Sequence, residues 1–349
     1  MDKVHIGVIS HAHGHINTYC GQMQNYDDVE LVATWDDDEG RGRQNAEKFG
    51  LEFRTSADAV LNDPNIDTVM IGIETNRHAE YTIRAAEAGK NILLQKPMAT
   101  TLEDCDRITE AVNKSGVKFS MAFQMRQDPV NRKIKELVEQ GVVGNIAVVR
   151  RRHCIPVLLN PNFATGHSKW HVDPVANIGM YFDDATHAAD WFYWIFGRPV
   201  SVMSEIDNIV TDVAPDDNGV SIFRFENGIM GTLYNGSTVF AGVNTTEIYG
   251  DNGTIIQDYG DAPSTSAPRP DDAIPLKYIC KGDDKWTEFA MDIPTGQGER
   301  IAGIPRPFID YIRGITDERV SPEEGRVSVE MILGAYESAK EGERVTFKN

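Results

Sequence analysis

An alternation of short apolar runs with helix-compatible segments, from Val4 to Phe123, is the feature that most constrains how this chain can fold. Strands that alternate with helices form parallel βαβ units, whose helices cover both faces of one sheet. We therefore predict an α/β domain with a doubly wound parallel sheet. The predicted strands are 4–9, 29–35, 51–53, 68–73, 91–94 and 118–123, and the predicted helices are 42–49, 57–61, 77–88 and 102–114.

The pattern changes after residue 124, where turns and short strands replace the alternation. Alternating segments broken by Asn-Gly turns between 200 and 287 predict a large open, mostly antiparallel sheet. We therefore expect two domains, 1–124 and 125–349, the second of the α+β class. Its other predicted elements are helices at 129–140 and 182–196, a strand at 145–153, loops at 155–175 and 258–275, and closing helices at 307–314 and 322–340 that are candidates for packing back on the first domain.

Length and charge narrow the classes of function. A chain of 349 residues is too long for one ordinary core, which favours two domains. Its net charge of −19 argues against nucleic acid or an anionic membrane surface as a partner. No apolar run approaches the ~20 residues of a membrane helix, and the first residues lack a signal-peptide pattern. Four scattered cysteines without a C-x-x-C pair favour free thiols in a cytoplasmic protein.

The segment 91–97, Asn-Ile-Leu-Leu-Gln-Lys-Pro, reads as a buried strand that Pro97 ends. In an open α/β sheet, ligands bind outside the carboxyl ends of the strands, so Lys96 stands where a substrate would lie. Pro97 also restricts Lys96 to extended or turn conformations, which makes the backbone carrying the amine stiff. Lys96 is therefore either a positioned cation or a solvated loop charge.

The turn after the first strand is a candidate phosphate-binding turn. The dinucleotide fingerprint G-x-G-x-x-G/A would place glycines at 10, 12 and 15, where this chain has Ser10, Ala12 and His15, with Gly14 one place early. Small residues still let the backbone approach a pyrophosphate, and the following helix would supply amides and a partial positive charge.

Asp36 supports a dinucleotide site more directly, since it ends the second strand where a carboxylate would bind the ribose hydroxyls. The acidic residues 37–39 would repel a 2′-phosphate and so favour NAD over NADP. Arg41 and Arg43 lie near enough in sequence to weaken this preference. A solvated acidic turn explains each of these residues singly but not the whole set.

His11, His13 and His15 invite a metal interpretation, because a strand that ends in H-x-H also opens some metal-hydrolase barrels. A zinc site needs three or four converging ligands. The later strand ends offer no further histidine pair or carboxylate cluster, and His78 at a helix start is the nearest candidate. We therefore predict no metal, and assign these histidines to nucleotide contact or to the loop.

Asp183 and His187 are four residues apart in the predicted helix 182–196 and share one face of it. A carboxylate beside an imidazole orients the ring and raises its basicity, which suits a general base. A structural Asp–His pair is the alternative, and Asp184 or Asp190 are other possible partners in the same helix.

With these residues in hand, the chain resembles the Gfo/Idh/MocA oxidoreductases, the glucose-fructose oxidoreductase and inositol dehydrogenase group. Gln95-Lys96-Pro97 is similar to the family's E-K-P segment, with glutamine in place of glutamate, and Asp183 to His187 is similar to its D-x-x-x-H helix. The further similar stretches are 76–78, 85–90, 126–129, 141–144, 322–326 and 342–345.

The resemblance implies an N-terminal Rossmann domain and a C-terminal domain for substrate binding and oligomerisation, as a homodimer or homotetramer joined through the open sheet. It implies hydride transfer between a nicotinamide and a carbinol carbon, with His187 taking the hydroxyl proton, Lys96 binding that oxygen and Asp183 orienting the base or a substrate hydroxyl. The expected cofactor contacts are Ser10, His11, Ala12, His13, Gly14, His15, Asp36, Thr75, His78, Gln95 and Lys96, and the expected substrate contacts are Arg126, His153, Trp170 and His171.

Three functions follow as hypotheses. The first is an NAD-dependent dehydrogenase of a sugar, cyclitol or glycoside. The second keeps the hydride transfer but makes it transient, so that the net reaction is the cleavage of a glycoside. The third is a non-catalytic sensor that binds a sugar or NAD, against which the presence of Lys96, Asp183 and His187 argues.

Overall fold

The computed structural model describes residues 3–240, 242, 244–258, 269–292 and 294–348. Its strands are β1 (Val4–Ile9), β2 (Val29–Trp35), β3 (Glu52–Phe53), β4 (Thr68–Ile71), β5 (Asn91–Leu94), β6 (Phe119–Met121), β7 (Ile146–Cys154), β8 (Pro199–Asp207), β9 (Asn218–Phe225), β10 (Met230–Gly236), β11 (Asn244–Gly250), β12 (Gly253–Asp258), β13 (Leu276–Cys280), β14 (Thr287–Phe289) and β15 (Val345–Thr346). Its helices are α1 (His15–Met23), α2 (Glu39–Phe49), α3 (Ala57–Leu61), α4 (His78–Glu87), α5 (Leu102–Ser115), α6 (Pro129–Glu139), α7 (Pro174–Asn177), α8 (Met180–Phe196), α9 (Gln297–Ala302), α10 (Pro305–Ile312) and α11 (Pro322–Glu341).

The first six strands form one parallel sheet in the order β3-β2-β1-β4-β5-β6, which confirms the predicted doubly wound fold. The order reverses beside β1, and such a switch point opens a crevice at the carboxyl ends of the strands. Helix α2 begins earlier than predicted because the Asp38 carboxylate accepts a hydrogen bond from the amide of Arg41 and caps the helix.

The second sheet has nine strands in the order β14-β13-β12-β11-β7-β10-β9-β8-β15. It is mostly antiparallel, as predicted, but β7 and β10 pair in parallel. Residues alternate along β9, so that Phe223 and Phe225 pack against Phe192 of α8 while Val220 and Ile222 point to the other face. Helix α8 therefore covers one face of this sheet.

Helices α10 and α11 contact helices that flank the first sheet, α1 and α5 respectively. Ile301, Ile304 and Phe308 of the α9–α10 segment share a core with α1. Arg306 and Arg313 both pair with Asp28, which precedes β2. Helix α11 contacts α5, α8 and β8, so it joins the two sheets. The division at residue 124 stays a prediction.

The segments 155–175 and 258–275 were both predicted to be loops. Residues 155–175 contain two 3₁₀ turns, Val157–Leu159 and His167–Val172, and the start of α7. Residues 259–268 of the second predicted loop lie outside the described residues. Within the described part of the chain, no helix has the length and apolar character needed to cross a membrane.

Candidate active site

A cavity of about 230 Å³ lies where the carboxyl ends of β1 and β5 face the start of α8. The predicted site residues that line it are His13, Gly14, His15, Lys96, His153, His171, Asp183 and His187. Ile155, Val157, Phe163, Ser168, Met180, Asp184 and Gln297 complete its lining. Side chains from both predicted domains therefore share one pocket.

Lys96 and Asp183 form a buried ion pair in this pocket. The Lys96 ammonium donates to Asp183 Oδ1 at 3.0 Å and to the Asp183 carbonyl at 3.2 Å. Asp183 Oδ2 lies 3.0 Å from Nδ1 of His171. Burial opposes ionisation of Asp183, but Lys96 and His171 outweigh it and hold the pKa of the carboxyl well below its usual range. Asp183 is therefore a carboxylate with both oxygens engaged.

His187 shares a helix face with Asp183, but no hydrogen bond joins the two among the described residues. Its Nδ1 is buried without a hydrogen-bond partner in the described part of the chain. The His187 ring lies beside His153, with centroids 5.4 Å apart. Burial, and then the charge of Lys96, lower the pKa of His187 well below its usual value, so the ring is neutral. A neutral imidazole is the form that accepts a proton.

His13 and His15 stand on the first-domain side of the pocket. Their ring centroids are 4.3 Å apart, and Nε2 of His13 and Nδ1 of His15 are buried with no hydrogen-bond partner among the residues described. Burial lowers the pKa of His15 to about 3 and that of His13 well below its usual value. Both rings are therefore uncharged groups with ring nitrogens available to a ligand.

The turn before α1 has room for a phosphate despite its lack of the fingerprint glycines. Ser10 adopts φ 66°, the left-handed conformation that the first fingerprint glycine would favour. Its hydroxyl accepts a hydrogen bond from the amide of Ala12. A Cβ placed on Gly14 would meet no atom within 4 Å, so space is open directly before the helix N-terminus. The turn therefore fits a dinucleotide pyrophosphate.

Asp36 ends β2 at this crevice, where its carboxylate is already well satisfied. It accepts from the amide of His11 at 2.8 Å and from the Arg41 guanidinium at 2.6 Å. The same guanidinium donates to Asp37, which also pairs with Arg77. The charges of both arginines near the expected ribose position are therefore matched by carboxylates.

Four other predicted cofactor contacts have partners within the protein. The His11 ring lies between Asn17 and Thr34, and the His78 ring lies between the carbonyls of Ile73 and Pro97. Thr75 donates to Asn177 at 2.7 Å, and Gln95 donates to Tyr19 at 2.9 Å. Contacts of this kind hold the strand ends and the segment after β5 in place.

Two predicted substrate residues do not line the pocket. Arg126 forms a buried ion pair with Asp190 and a partly buried one with Glu324, which tie the end of the first sheet to α8 and α11. The Trp170 ring stacks on His171 at 3.7 Å, and its indole N–H donates to the carbonyl of Ala12. Trp170 therefore joins the second domain to the phosphate turn, whereas His153 and His171 do reach the pocket.

Of the seven lining residues that the sequence did not assign to the site, Asp184 is the ionisable one. Asp184 lines the cavity beside Asp183, and its carboxylate accepts a hydrogen bond from Ser237 at 3.1 Å. The sequence signal for Asp184 is the Asp-Asp dipeptide in a strongly apolar helix. Burying a carboxyl group costs free energy, so its presence there indicates a specific partner or a function. Among the described residues, no group of three or more histidines, cysteines or carboxylates is arranged to hold a metal ion.

Comparison with known proteins identifies the family of the chain. Residues 4–123 match a family described as an oxidoreductase family with an NAD-binding Rossmann fold. Residues 131–256 match the GFO/IDH/MocA C-terminal domain. The two matches together cover more than half of the chain and show an oxidoreductase with an NAD-binding Rossmann domain. The chain belongs to the Gfo/Idh/MocA oxidoreductase family.

Individual relatives span much of the chain. It is 30% identical over 263 residues to myo-inositol 2-dehydrogenase of Thermotoga maritima, covering 72% of this chain and 75% of that one. It is 26% identical over 300 residues to an NADP⁺-dependent scyllo-inositol 2-dehydrogenase of Bacillus subtilis, covering 81% and 79%. A solved levoglucosan dehydrogenase in complex with NADH shares the fold, with a TM-score of 0.82, 21% identity and 100% coverage of both chains.

Proposed function

We propose that this protein is an NAD-dependent dehydrogenase that oxidises a secondary alcohol of a sugar, cyclitol or glycoside. The observation that carries the proposal is the pocket that Lys96, paired with Asp183 at 3.0 Å, and the neutral ring of His187 both line. Inositol and levoglucosan dehydrogenases among its relatives support a polyhydroxylated substrate. The family's NAD-binding domain supports the cofactor.

The three side chains have separate roles in this proposal. NAD supplies a hydride acceptor at the crevice. His187 takes the hydroxyl proton of the substrate, for which its uncharged ring is ready. Lys96 binds the same oxygen and stabilises the negative charge that develops on it, since a cation in a dry pocket acts strongly. Asp183 orients Lys96 and His171.

NAD rather than NADP is the proposed cofactor, because a 2′-phosphate needs an uncompensated cation. Arg41 contacts Asp36, and Arg77 contacts the neighbouring Asp37. The carboxylates of Asp36, Asp37 and Glu74 thus already pair with these two arginines. Arg43 is turned outward to Glu39. We expect the dissociation constant for NADP⁺ to exceed that for NAD⁺ by tenfold or more, measured by calorimetry. Equal affinities would contradict this preference.

A substrate panel tests the activity. Purified protein with NAD⁺ and sugars, inositols, anhydro sugars and glycosides should give the absorbance of NADH with at least one of them. No NADH with any member, together with no NAD⁺ binding, would overturn the proposal. Release of an aglycone without net NADH would instead favour glycoside cleavage through transient oxidation.

We also propose that the protein is cytoplasmic and assembles as a homodimer or homotetramer through the open sheet. The outer face of β8 and β9 supports the assembly. Met203 and Ile222 pair across these strands and are 45% and 46% exposed. Such neighbouring exposed side chains on a sheet are typical of an interface.

A further inference from the structure

Asp184 differs from its neighbour Asp183 in how its oxygens are used. Lys96 and His171 engage both oxygens of Asp183. At Asp184, Ser237 donates to Oδ2 at 3.1 Å, and Oδ1 has no hydrogen-bond partner among the described residues. The side chain is only 7% exposed and lines the cavity. A carboxyl oxygen without a protein partner, on a side chain that lines a cavity, is available to a ligand.

The surroundings of Asp184 favour its protonated form. Burial, and then the charge of Asp183, raise the pKa of Asp184 to about 7. Lys96 after β5 opposes this shift, and Asp216 before β9 adds to it. His187 lies one turn further along α8. The group therefore holds its proton in slightly acidic solution and loses it in alkaline solution.

A hydrogen bond from Ser237 favours the proton on the other oxygen of Asp184. The Ser237 hydroxyl donates to Oδ2 of Asp184, so Oδ2 acts as the carbonyl oxygen of the acid. The proton then lies on Oδ1, the oxygen without a protein partner. Asp184 thus presents an O–H donor to the cavity, on the side of the second sheet.

We propose that Asp184 is a substrate-binding residue, which donates a hydrogen bond from Oδ1 to a ligand oxygen that can only accept one. A ring or bridging ether oxygen and a carbonyl oxygen meet this requirement. A hydroxyl group does not distinguish the two protonation states of Asp184, because it can accept from the acid and donate to the carboxylate. The inference rests on the proposed function and narrows its substrates to those with an ether oxygen, such as pyranoses, glycosides and anhydro sugars, over cyclitols that carry hydroxyls alone.

Calorimetry with levoglucosan and myo-inositol as probes tests the inference, because the first has ether oxygens and the second has none. For wild-type protein, the affinity for levoglucosan should fall about tenfold between pH 6 and pH 8.5, as the donor is lost. The affinity for myo-inositol should not fall. Burial keeps the pKa of His13, His15 and His187 below this pH range, so these rings do not titrate in it.

Two variants separate binding from structure. Asp184→Asn keeps a donor that cannot ionise, so it should bind levoglucosan equally at both pH values. Asp184→Leu should bind it about tenfold more weakly than wild type at pH 6. Wild-type affinity that does not change with pH, or an Asp184→Leu variant with unchanged affinity, would overturn the inference.

A ligand-free measurement checks the protonation itself. The infrared difference spectrum between wild type and Asp184→Asn at pH 6 should contain the C=O stretch of a neutral carboxyl group, and its absence would overturn the inference. Failure of wild type to bind levoglucosan would also overturn it. The proposed function fails separately, only when no member of the wider panel yields NADH.

Discussion

At the scale of single residues, burial decides which protonation states the pocket holds. Burial and the nearby ammonium of Lys96 keep His15 and His187 neutral. The same ammonium keeps Asp183 ionised, whereas Asp184, one residue further, has a raised pKa. A base, a cation, a carboxylate and a weak acid thus coexist within one small cavity. This separation of pKa values is typical of sites that transfer protons.

Replacing Lys96 or His187 should remove activity. We expect Lys96→Met to lower kcat by about 10²–10³, since the cation that stabilises the developing charge is lost. His187→Gln should lower kcat by about 10²–10⁴, through loss of the base. Steady-state NADH formation measures both effects, and Lys285→Met, at an exposed position, is the matched control.

Retention of more than a tenth of the wild-type kcat in both variants would contradict these roles. Lys96→Met also leaves Asp183 with a reduced set of partners, so thermal melts should accompany the kinetics. His187→Gln breaks no ion pair. If Lys96→Met unfolds, the kinetics of His187→Gln therefore still test the proposed mechanism.

Asp184→Asn should change stability in a pH-dependent way. The folded-state pKa is raised to about 7 from the ordinary value of 3.8, so the folded protein holds a proton that the unfolded chain releases. The contribution of Asp184 to the free energy of unfolding therefore falls as pH rises from about 4 to 7. Above pH 7 the folded protein bears the full cost of burying the ionised carboxylate. The variant should be more stable than wild type by about 1–3 kcal/mol at pH 8, and the difference should shrink towards pH 4.

Urea unfolding at pH 4, 6 and 8 measures this difference. Ser237→Ala is a useful companion, because it removes the hydrogen bond to Asp184 and leaves the carboxyl group in place. A difference between Asp184→Asn and wild type that is the same at all three pH values would contradict the raised pKa.

At the scale of elements, the position of α8 sets the position of the site. Its first turn is held from outside the helix by Asp216, which accepts from the amide of Tyr181 at 2.6 Å and from the Tyr336 hydroxyl at 2.6 Å. The Tyr336 oxygen in turn accepts from the amide of Phe182. These contacts satisfy helix amides that would otherwise lack partners. The Asp216 carboxylate also interacts favourably with the positive end of the helix dipole.

Gly179→Ala should disrupt this attachment. A Cβ at Gly179 would lie 1.9 Å from Asp216 Oδ2 and 2.8 Å from the Tyr336 oxygen, so both partners would have to move. We expect a loss of about 1–3 kcal/mol in the free energy of unfolding. Chemical denaturation measures it, and Gly298→Ala in α9, where a Cβ meets nothing within 4 Å, is the control. Equal stability of the two variants would show that α8 is not fixed at this point.

At the scale of the whole molecule, the pocket exists because the two sheets are held together around α8. Trp170 reaches Ala12, Arg126 reaches Asp190 of α8, and Lys96 reaches Asp183. Helix α11 adds a further connection, since it contacts α5 on one side and α8 on the other. The opposite face of the second sheet remains exposed at β8 and β9 and carries apolar side chains there.

Ile222→Asp should weaken the proposed assembly. The side chain is 46% exposed and lies opposite Met203 on the outer face of the sheet, where a charge would be costly to bury between subunits. Light scattering should show a dimer or tetramer for wild type and a smaller species for the variant. Ile315→Asp, at a 64% exposed site after α10, should leave the mass unchanged. A monomeric wild type would contradict the assembly.

The sequence by itself determined the parallel sheet, the strand-end position of Lys96 and the shared helix face of Asp183 and His187. Each follows from periodicity or from the chain direction of a βα unit, which are local properties. The mostly antiparallel second sheet followed from turns and alternation for the same reason. The parallel pairing of β7 with β10 did not, because strands far apart in sequence choose partners by packing.

Only the tertiary structure decided the partners within the site. Asp183 pairs with Lys96 and His171 instead of with His187. Arg126 forms ion pairs with Asp190 and Glu324 instead of lining the pocket. These contacts join segments that no periodicity relates, so they depend on how the sheets and helices pack. The protonation of Asp184 is of the same kind, since it depends on burial and on neighbouring charges that the folded chain brings together.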